Sequence, residues 1–486
     1  MSPENNEQLK KSAFGGVAWK FAERICAQMV SLVVSIVLAR ILVPEDYSVV
    51  SVVAIFFSLC NVLISGGLNT SLIQKKDADQ LDYATVLHTT MAVAAVLYAV
   101  MFFSAPAIAD LYGKPVLVPV VRVMGLTFFI NAFKSVLAAY TSSNLQFKKF
   151  FFSTIVGTAV SAGVGIAMAA KGFGAWALVA QQMTNSLIDT VILYFTTRFK
   201  VLFRVSWTRF KALFSYGWKI FTASIITVVY DECCPLIVGV KFSPTDLAYY
   251  NKGKSFPSLL NSSITDTLSA VLFPVIAKVQ DDASAVLAVT RRYIKTASYV
   301  VFPMMMGFLA VSENFVVAVL TEKWIAAVPF VQIFCFSYML NIVQVGNLQA
   351  IKAMGRSDIV LVLEIVKKSV YFAIIAAFVF LSDNAQMLAV SSVACTLVAC
   401  GVNTWPNRKI IGYKYRYQLM DLLPNFLLSL AMAAAVILVG KLAMSTWLLL
   451  GLQVLVGGGV YVLLSILTKN ENFRYLLGFC KQMLHR

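Results

Sequence analysis

Residues 14–40 read FGGVAWKFAERICAQMVSLVVSIVLAR. The stretch is longer than the ~20 mostly apolar residues that cross a hydrocarbon core. Its polar members are not scattered. Lys20, Glu23, Arg24, Gln28, Ser31 and Ser35 follow the i, i+3, i+4 spacing of one helical face, and Ile25, Met29, Val33 and Ile36 occupy the opposite one. An ionised side chain at the centre of a membrane helix costs ~2.5–3.5 kcal/mol even on a lenient insertion scale. The stripe is therefore expected to face water or opposite charge, with the other face left to lipid or packing.

The same ruler laid along the chain marks fourteen candidate spans: 14–40, 46–72, 84–109, 116–140, 150–170, 174–196, 211–240, 246–276, 292–312, 325–350, 357–381, 384–405, 418–440 and 445–467. Breaker residues such as Pro44, Gly113-Lys114-Pro115 and Pro244 separate them. The fold class expected is an all-α polytopic membrane protein. Composition excludes the soluble alternatives: 59% of the 486 residues are hydrophobic and only 13% charged, against about 25% charged in ordinary soluble domains. The N-terminus, Met1 to Lys11, is polar, and the first apolar run continues to Leu42 without a small-residue cleavage site, so no cleavable signal peptide is expected. Most cysteines sit inside apolar runs and read as small buried hydrophobes, with Cys233-Cys234 a vicinal pair better explained by packing than by redox chemistry. Two histidines, His88 and His485, argue against a His-based metal site or general base, and no cofactor is expected.

Orientation follows from the loops. With the N-terminus placed in the cytoplasm, twenty-five Lys and Arg fall in inside segments and six in outside ones, namely Arg40, Lys114, Lys171, Lys241, Lys323 and Lys441. The wrong helix parity would scramble that bias, so both termini are expected inside. The net charge of +17 is then mainly a topology signal rather than a nucleic-acid footprint, because the charges spread over many short loops.

Two segments repeat. Trp19-Lys20 precedes Pro44-Glu45-Asp46, and Trp218-Lys219 precedes Pro244-Thr245-Asp246; Lys-to-Pro spacing is 24 residues in the first and 25 in the second. The offset spans an even number of helices, so both copies run the same way. The expected organisation is two six-helix lobes, 1–205 and 206–410, related by a pseudo-two-fold along the membrane normal, with a C-terminal helix pair and cytoplasmic tail at 411–486.

GGVAWK (15–20), LARILVPEDY (38–47), LIQKK (72–76), AWALVAQQ (175–182), FSYGWK (214–219) and EKWIAAVP (322–329) together resemble the bacterial polysaccharide transporter family, flippases for lipid-linked oligosaccharides similar to colanic acid and O-antigen exporters, within the multidrug/oligosaccharidyl-lipid/polysaccharide exporter superfamily. The resemblance covers helices 1–12. It implies two lobes around a central cavity and movement of an undecaprenyl-pyrophosphate-linked glycan to the outer leaflet of the bacterial inner membrane. The partners it implies are that lipid-linked cargo, membrane lipids and other polysaccharide-assembly membrane proteins, with no nucleic acid.

A polar path is expected from the residues alone. Nine basic side chains stand at membrane depth: Lys20, Arg24, Arg122, Lys134, Lys219, Lys252, Lys254, Lys367 and Lys368. Six acids accompany them: Glu23, Asp189, Asp231, Glu232, Asp266 and Glu364. The cationic surplus suits an anionic ligand. Arg24, Lys252 and Lys254 are the candidate pyrophosphate contacts, with Lys20 and Lys219 toward the cytoplasmic mouth. Glu23, Asp231 and Glu232 are candidate counter-ions or ion-coupling groups, the last two beside Pro235, which is expected to bend its helix. Each also has a structural reading: Glu23–Arg24 as a buried pair, Lys20 and Lys134 as snorkelling side chains, and Lys367 with Glu364 as an i, i+3 ion pair. No nucleotide-phosphate loop is present, so a gradient or membrane potential is the expected energy source, and no enzymatic chemistry is needed. The alternatives are a cation-coupled multidrug exporter, which would want an acidic cavity, and a membrane glycan polymerase or ligase, which would want a large outer loop.

Overall fold

The computed structural model describes residues 26–65, 67–75, 77–144, 146–277 and 279–484, and among them there is no strand. The helices are α1 (Cys26–Ile41), α2 (Pro44–Ser65), α3 (Leu68–Gln74), α4 (Gln80–Tyr112), α5 (Leu117–Gly125), α6 (Thr127–Ser143), α7 (Phe147–Ala170), α8 (Ala175–Thr197), α9 (Trp207–Lys241), α10 (Pro244–Ala277), α11 (Ala283–Phe315), α12 (Val328–Met339), α13 (Asn341–Ala353), α14 (Ser357–Leu381), α15 (Ala385–Ile410), α16 (Tyr415–Val439), α17 (Thr446–Leu467) and α18 (Glu471–Leu484).

Ten of the described helical stretches are long and apolar enough to cross a bilayer, fewer than the fourteen expected. Three of the four differences are composition, not helix formation; the fourth, 14–40, is described only from Cys26, as the shorter helix α1. The candidate spans at 174–196, 246–276 and 357–381 all form long helices, but α8 carries Gln181, Gln182, Asn185 and Asp189, α10 carries Lys252, Lys254 and Asn261, and α14 carries Glu364, Lys367 and Lys368. Large apolar side chains stand exposed on many of the helices; Phe103, Phe195, Phe380 and Leu455 are examples. Water would not tolerate such surfaces, and lipid does.

Helix boundaries follow local chemistry. Asp79 caps α4 by accepting from the Asp82 amide at 2.9 Å, and Asp82 answers by accepting from the Asp79 amide at 3.1 Å. Asp282 caps α11 through the Ser284 and Ala285 amides. The Ser284 hydroxyl and those two amides hold the Asp282 carboxyl below its ordinary value. The order of elements repeats along the chain. Pro44 and Pro244 each start a helix after a tight turn. A capped helix of 33 residues follows in each case. Next comes a span in two pieces, α5–α6 and then α12–α13, and last a two-helix unit, α7–α8 and then α14–α15. Three expected helices are therefore broken: 46–72 into α2 and α3, 116–140 into α5 and α6 at Leu126, and 325–350 into α12 and α13 at Leu340.

The chain divides into two compact units, residues 1–248 and 249–486. In the first, α7 lies along α8, and α9 packs against α2, α3 and α4. At the end of this unit where α4 begins, Leu72, Tyr83, Leu87, Leu137, Phe150, Leu193 and Leu213 form a closed apolar knot. The break between α2 and α3 has a packing cause. Gly67 takes φ +83, and a Cβ on Gly217 of α9 would stand 2.8 Å from the Gly67 carbonyl carbon and oxygen. Backbone meets backbone there, which only a glycine pair permits.

In the second unit α11 is a spine. It ends in a wide π turn over Val316–Leu320, then a residue with φ +82 (Thr321), then a 3-10 turn over Glu322–Ala327. The C-terminal pair α16–α17 is stitched to it by polar contacts at successive levels. Asn425 donates to Ser298 Oγ at 2.7 Å, Tyr299 donates to Ser465 Oγ at 2.8 Å, and Asn314 donates to Gln453 Oε1 at 2.9 Å. In hydrocarbon such pairs hold helices together where the hydrophobic effect cannot.

Candidate functional site

Of the expected site residues, Lys20, Glu23 and Arg24 lie outside the described residues, as does the Lys219 side chain. The others fall on two consecutive helices. Asp231 is exposed and Glu232 half-buried on α9, which continues as α-helix through Pro235 to Lys241. Lys252 and Lys254 lie on α10, two turns past its start. That start is secured by the Ser243 hydroxyl, which donates to the Asp246 carboxylate at 2.6 Å and accepts from its amide at 2.9 Å.

Lys252 is 6% exposed. Its ammonium stands 5.5 Å from the centroid of the Trp324 ring and 5.9 Å from that of Phe256. Tyr249 meets Trp324 edge-on at 6.0 Å. Trp324 is fully buried and belongs to the irregular segment after α11. Negative ring faces attract a desolvated cation, most strongly those of tryptophan. Lys254, two residues on and on the other side of the helix, is only half-buried. The two lysines, expected to act as a pair, thus differ: one is held among rings and one reaches the surface of its unit.

The Asp266 side chain lies outside the described residues, whereas Arg122, Lys134 and Lys367 are engaged within their units. Arg122 lies over Phe102 at 4.3 Å and donates to the Phe102 carbonyl at 3.4 Å. Lys134 does not simply snorkel; its ammonium sits 2.6 Å from the Asp189 carboxylate, across the α6–α8 interface. Lys367 pairs with Glu364 at 2.6 Å, three residues away on α14, as its spacing indicates.

Two further ionic clusters escaped the sequence reading. In the first unit Arg209 of α9 contacts Asp79 at 2.5 Å and Asp82 at 3.1 Å, and Lys75 contacts Asp82 at 2.6 Å. In the second Asp421 receives Arg291 in two parallel bonds of 2.8 and 2.7 Å and the Tyr413 hydroxyl at 2.9 Å. Hydropathy places Arg209, Arg291 and Lys295 in loops, but α9 and α11 begin before them. The one available signal was the Arg291–Lys295 i, i+4 pair on a helix that must begin at the Asp282 cap.

The Asp82 amide and the Arg209 guanidinium hold the Asp79 carboxyl below its ordinary value. A carboxyl lowered by folding contributes stability in full above its unfolded value, near ~3.9, and loses it as pH falls through the folded one. Acidification below about pH 4 is therefore expected to loosen the start of α9 from α4. Asp79→Asn, already uncharged, should show no added loss in that window. Hydrogen exchange of the first-turn amides of α9, followed across this pH range, checks it.

The sequence profile of a family described as polysaccharide biosynthesis protein matches residues 37–329. The chain is similar to the lipopolysaccharide biosynthesis protein WzxC of Escherichia coli K12, 24% identical over 452 residues and covering 90% of each chain. It is similar to the succinoglycan biosynthesis transport protein ExoT of Rhizobium meliloti, 21% identical over 327 residues, 67% of this chain and 66% of that one. Its fold is that of the lipid II flippase MurJ, with a TM-score of 0.76 at 12% identity, covering 94% of this chain and 99% of the other.

Proposed function

The chain belongs to the polysaccharide biosynthesis protein family, and from that membership we propose that it is a flippase. Its cargo is an undecaprenyl-pyrophosphate-linked oligosaccharide, moved from the cytoplasmic to the outer leaflet of the bacterial inner membrane by alternating access. The observation that carries this reading is where the protein's mass lies. Among the described residues the longest helix-free connector is 198–206, and everything else of size is helix. A protein of sugar-polymer assembly built this way has its work inside the bilayer, and that work is movement rather than group transfer. Relatives named for lipopolysaccharide biosynthesis and for succinoglycan transport support it, as does a fold shared with a flippase.

The cationic set proposed for the pyrophosphate is Lys20, Arg24, Lys219, Lys252 and Lys254, with Glu23, Asp231 and Glu232 as counter-ions. Arg24 offers a bidentate fork, and the lysines offer mobile point charges. Lys254 is open to such contact as it stands. Lys252 is sealed by Trp324 and Phe256, so its contact with cargo requires those rings to move. The lobes 1–205 and 206–410 would rock to expose the site to each side in turn, and both termini would stay in the cytoplasm.

Deletion of the gene is expected to accumulate lipid-linked oligosaccharide on the inner leaflet. Wild type should clear it and Arg24→Ala should not, with protein level matched by blotting. An unchanged inner-leaflet pool in the deletion strain would end the flippase reading.

A further inference from the structure

Lys134 and Asp189 form a cross-helix ion pair far from either end of the first unit's spans. Lys134 lies nine residues before the last residue of α6 and Asp189 eight before the last of α8, or about 12–14 Å at 1.5 Å per residue. The Asp189 side chain is 6% exposed, whereas that of Lys134 is 34% exposed. The ammonium engages only one carboxylate oxygen, Oδ2, at 2.6 Å. The other oxygen, Oδ1, is buried and meets no hydrogen-bond donor among the described residues. Gly157 of α7 lies close against the base of this side chain: a Cβ there would stand 3.1 Å from the Asp189 Cβ.

Polar and charged groups on the helices packed round the pair have other partners. On α6, Asn131 is bonded to Asn61 of α2 at 3.0 Å. Arg122 of α5 is turned onto Phe102. Lys148 of α7 lies 6.0 Å over Phe152. His88 of α4, which packs on α6, bonds the Ala84 carbonyl through Nδ1 and meets Phe203. On α8 itself Tyr194 packs on Phe133. Among the described residues neither Lys134 nor Asp189 makes an ion pair with a second charge.

A buried carboxylate with one orphaned oxygen is a ligand site waiting for a small cation. A metal ion is disfavoured by the ammonium 2.6 Å away. A proton is not, provided the ammonium can leave, and its larger exposure gives Lys134 that freedom. We propose that Asp189 is a proton-binding site linked to anion binding at Lys134. In one state both groups are ionised and paired. In the other, an O–H bond forms on Asp189 with a proton taken from water, the ion pair breaks, and the still-protonated Lys134 holds a phosphate oxygen of the cargo. Proton and anion then favour the same state, so each raises the affinity for the other. The identity of the anion rests on the flippase reading; the proton site itself does not.

The test is infrared difference spectroscopy of full-length protein in lipid nanodiscs, with inorganic pyrophosphate as probe. Wild type is expected to gain a protonated-carboxyl C=O band when pyrophosphate is added. Asp189→Asn, a near-isostere, should lose that gain while still binding the probe. Lys134→Gln should carry the band before any addition and gain nothing more. A pyrophosphate-induced band undiminished in Asp189→Asn, no band in wild type, or no resting band in Lys134→Gln would each overturn the proposal. The inner-leaflet lipid-linked pool reads the flippase assignment separately. A protein that shows the exchange but leaves that pool unchanged keeps the proton site and loses the flippase role.

Discussion

Gly217→Val is expected to remove most of the correctly folded protein, and with it transport. The Cβ that valine introduces would lie 2.8 Å from the carbonyl carbon and oxygen of Gly67 and 2.8 Å from Ser71 Oγ. Two of those three atoms are backbone, so no rotamer change relieves the clash, and α9 must shift. Shifting it breaks the bond from Ser71 Oγ to the Leu213 carbonyl at 3.0 Å. Overpacking of this kind costs about 1–3 kcal/mol, and the lost bond adds about 1 kcal/mol. A β-branched side chain has little rotamer freedom with which to escape.

Gly163→Ala is the control, because nothing lies within 4 Å of the Cβ it would add. It should be neutral or raise stability by about 0.5–1 kcal/mol through helix propensity. Fluorescence-detected size exclusion of detergent extracts, before and after heating, measures both. Equal recoveries for the two variants would show that the crossing of α9 over the α2–α3 break is not tight.

The helical spans were legible because the bilayer imposes a coarse rule on sequence. Backbone at membrane depth must be helical, and helical length is written in apolar runs. The breaks were not read alike. Residues 116–140 are apolar on both sides of Leu126 and hydropathy shows no interruption there, whereas Ser65-Gly66-Gly67 followed by Asn69-Thr70-Ser71 carries a breaker signal that a rule of length and hydropathy passes over. What breaks α2 from α3 is a helix more than a hundred residues away. The charges divide the same way. Glu364–Lys367 was readable because its partners are three apart on one helix. Lys134–Asp189 and Arg291–Asp421 join different helices, and spacing carries no information across that distance. The cage round Lys252 depends on Trp324, a residue quoted for its motif but not connected to any lysine. The helix 1 stripe with Lys20, Glu23 and Arg24 remains the part of the site that rests on sequence alone.

The second large effect concerns the C-terminal helices, expected from sequence as an appendage and found stitched to α11. Asp421→Ala should cost about 2–3 kcal/mol. That lies somewhat below the ~3–5 kcal/mol of a fully buried pair broken on one side, because the Arg291 side chain is 38% exposed and recovers some hydration. The loss has three parts. The bidentate bond to Arg291 goes, the fully buried Tyr413 hydroxyl is left without its acceptor, and Lys295 loses a partner at 3.4 Å. Glu471→Ala removes the other carboxylate beside Lys295, 3.8 Å away and 79% exposed. Exposed pairs of that length contribute about 0–1 kcal/mol, so this variant should unfold with wild type. Arg291→Lys should fall between them, since a single ammonium cannot reproduce two parallel bonds. Thermal unfolding in one detergent ranks the three. If Asp421→Ala and Glu471→Ala melted together, Asp421 would be a surface charge and the docking of α16 on α11 would rest on apolar packing. The ranking expected here instead makes α16 part of the second unit's core. Any movement of α11 during transport would then carry the C-terminal pair with it.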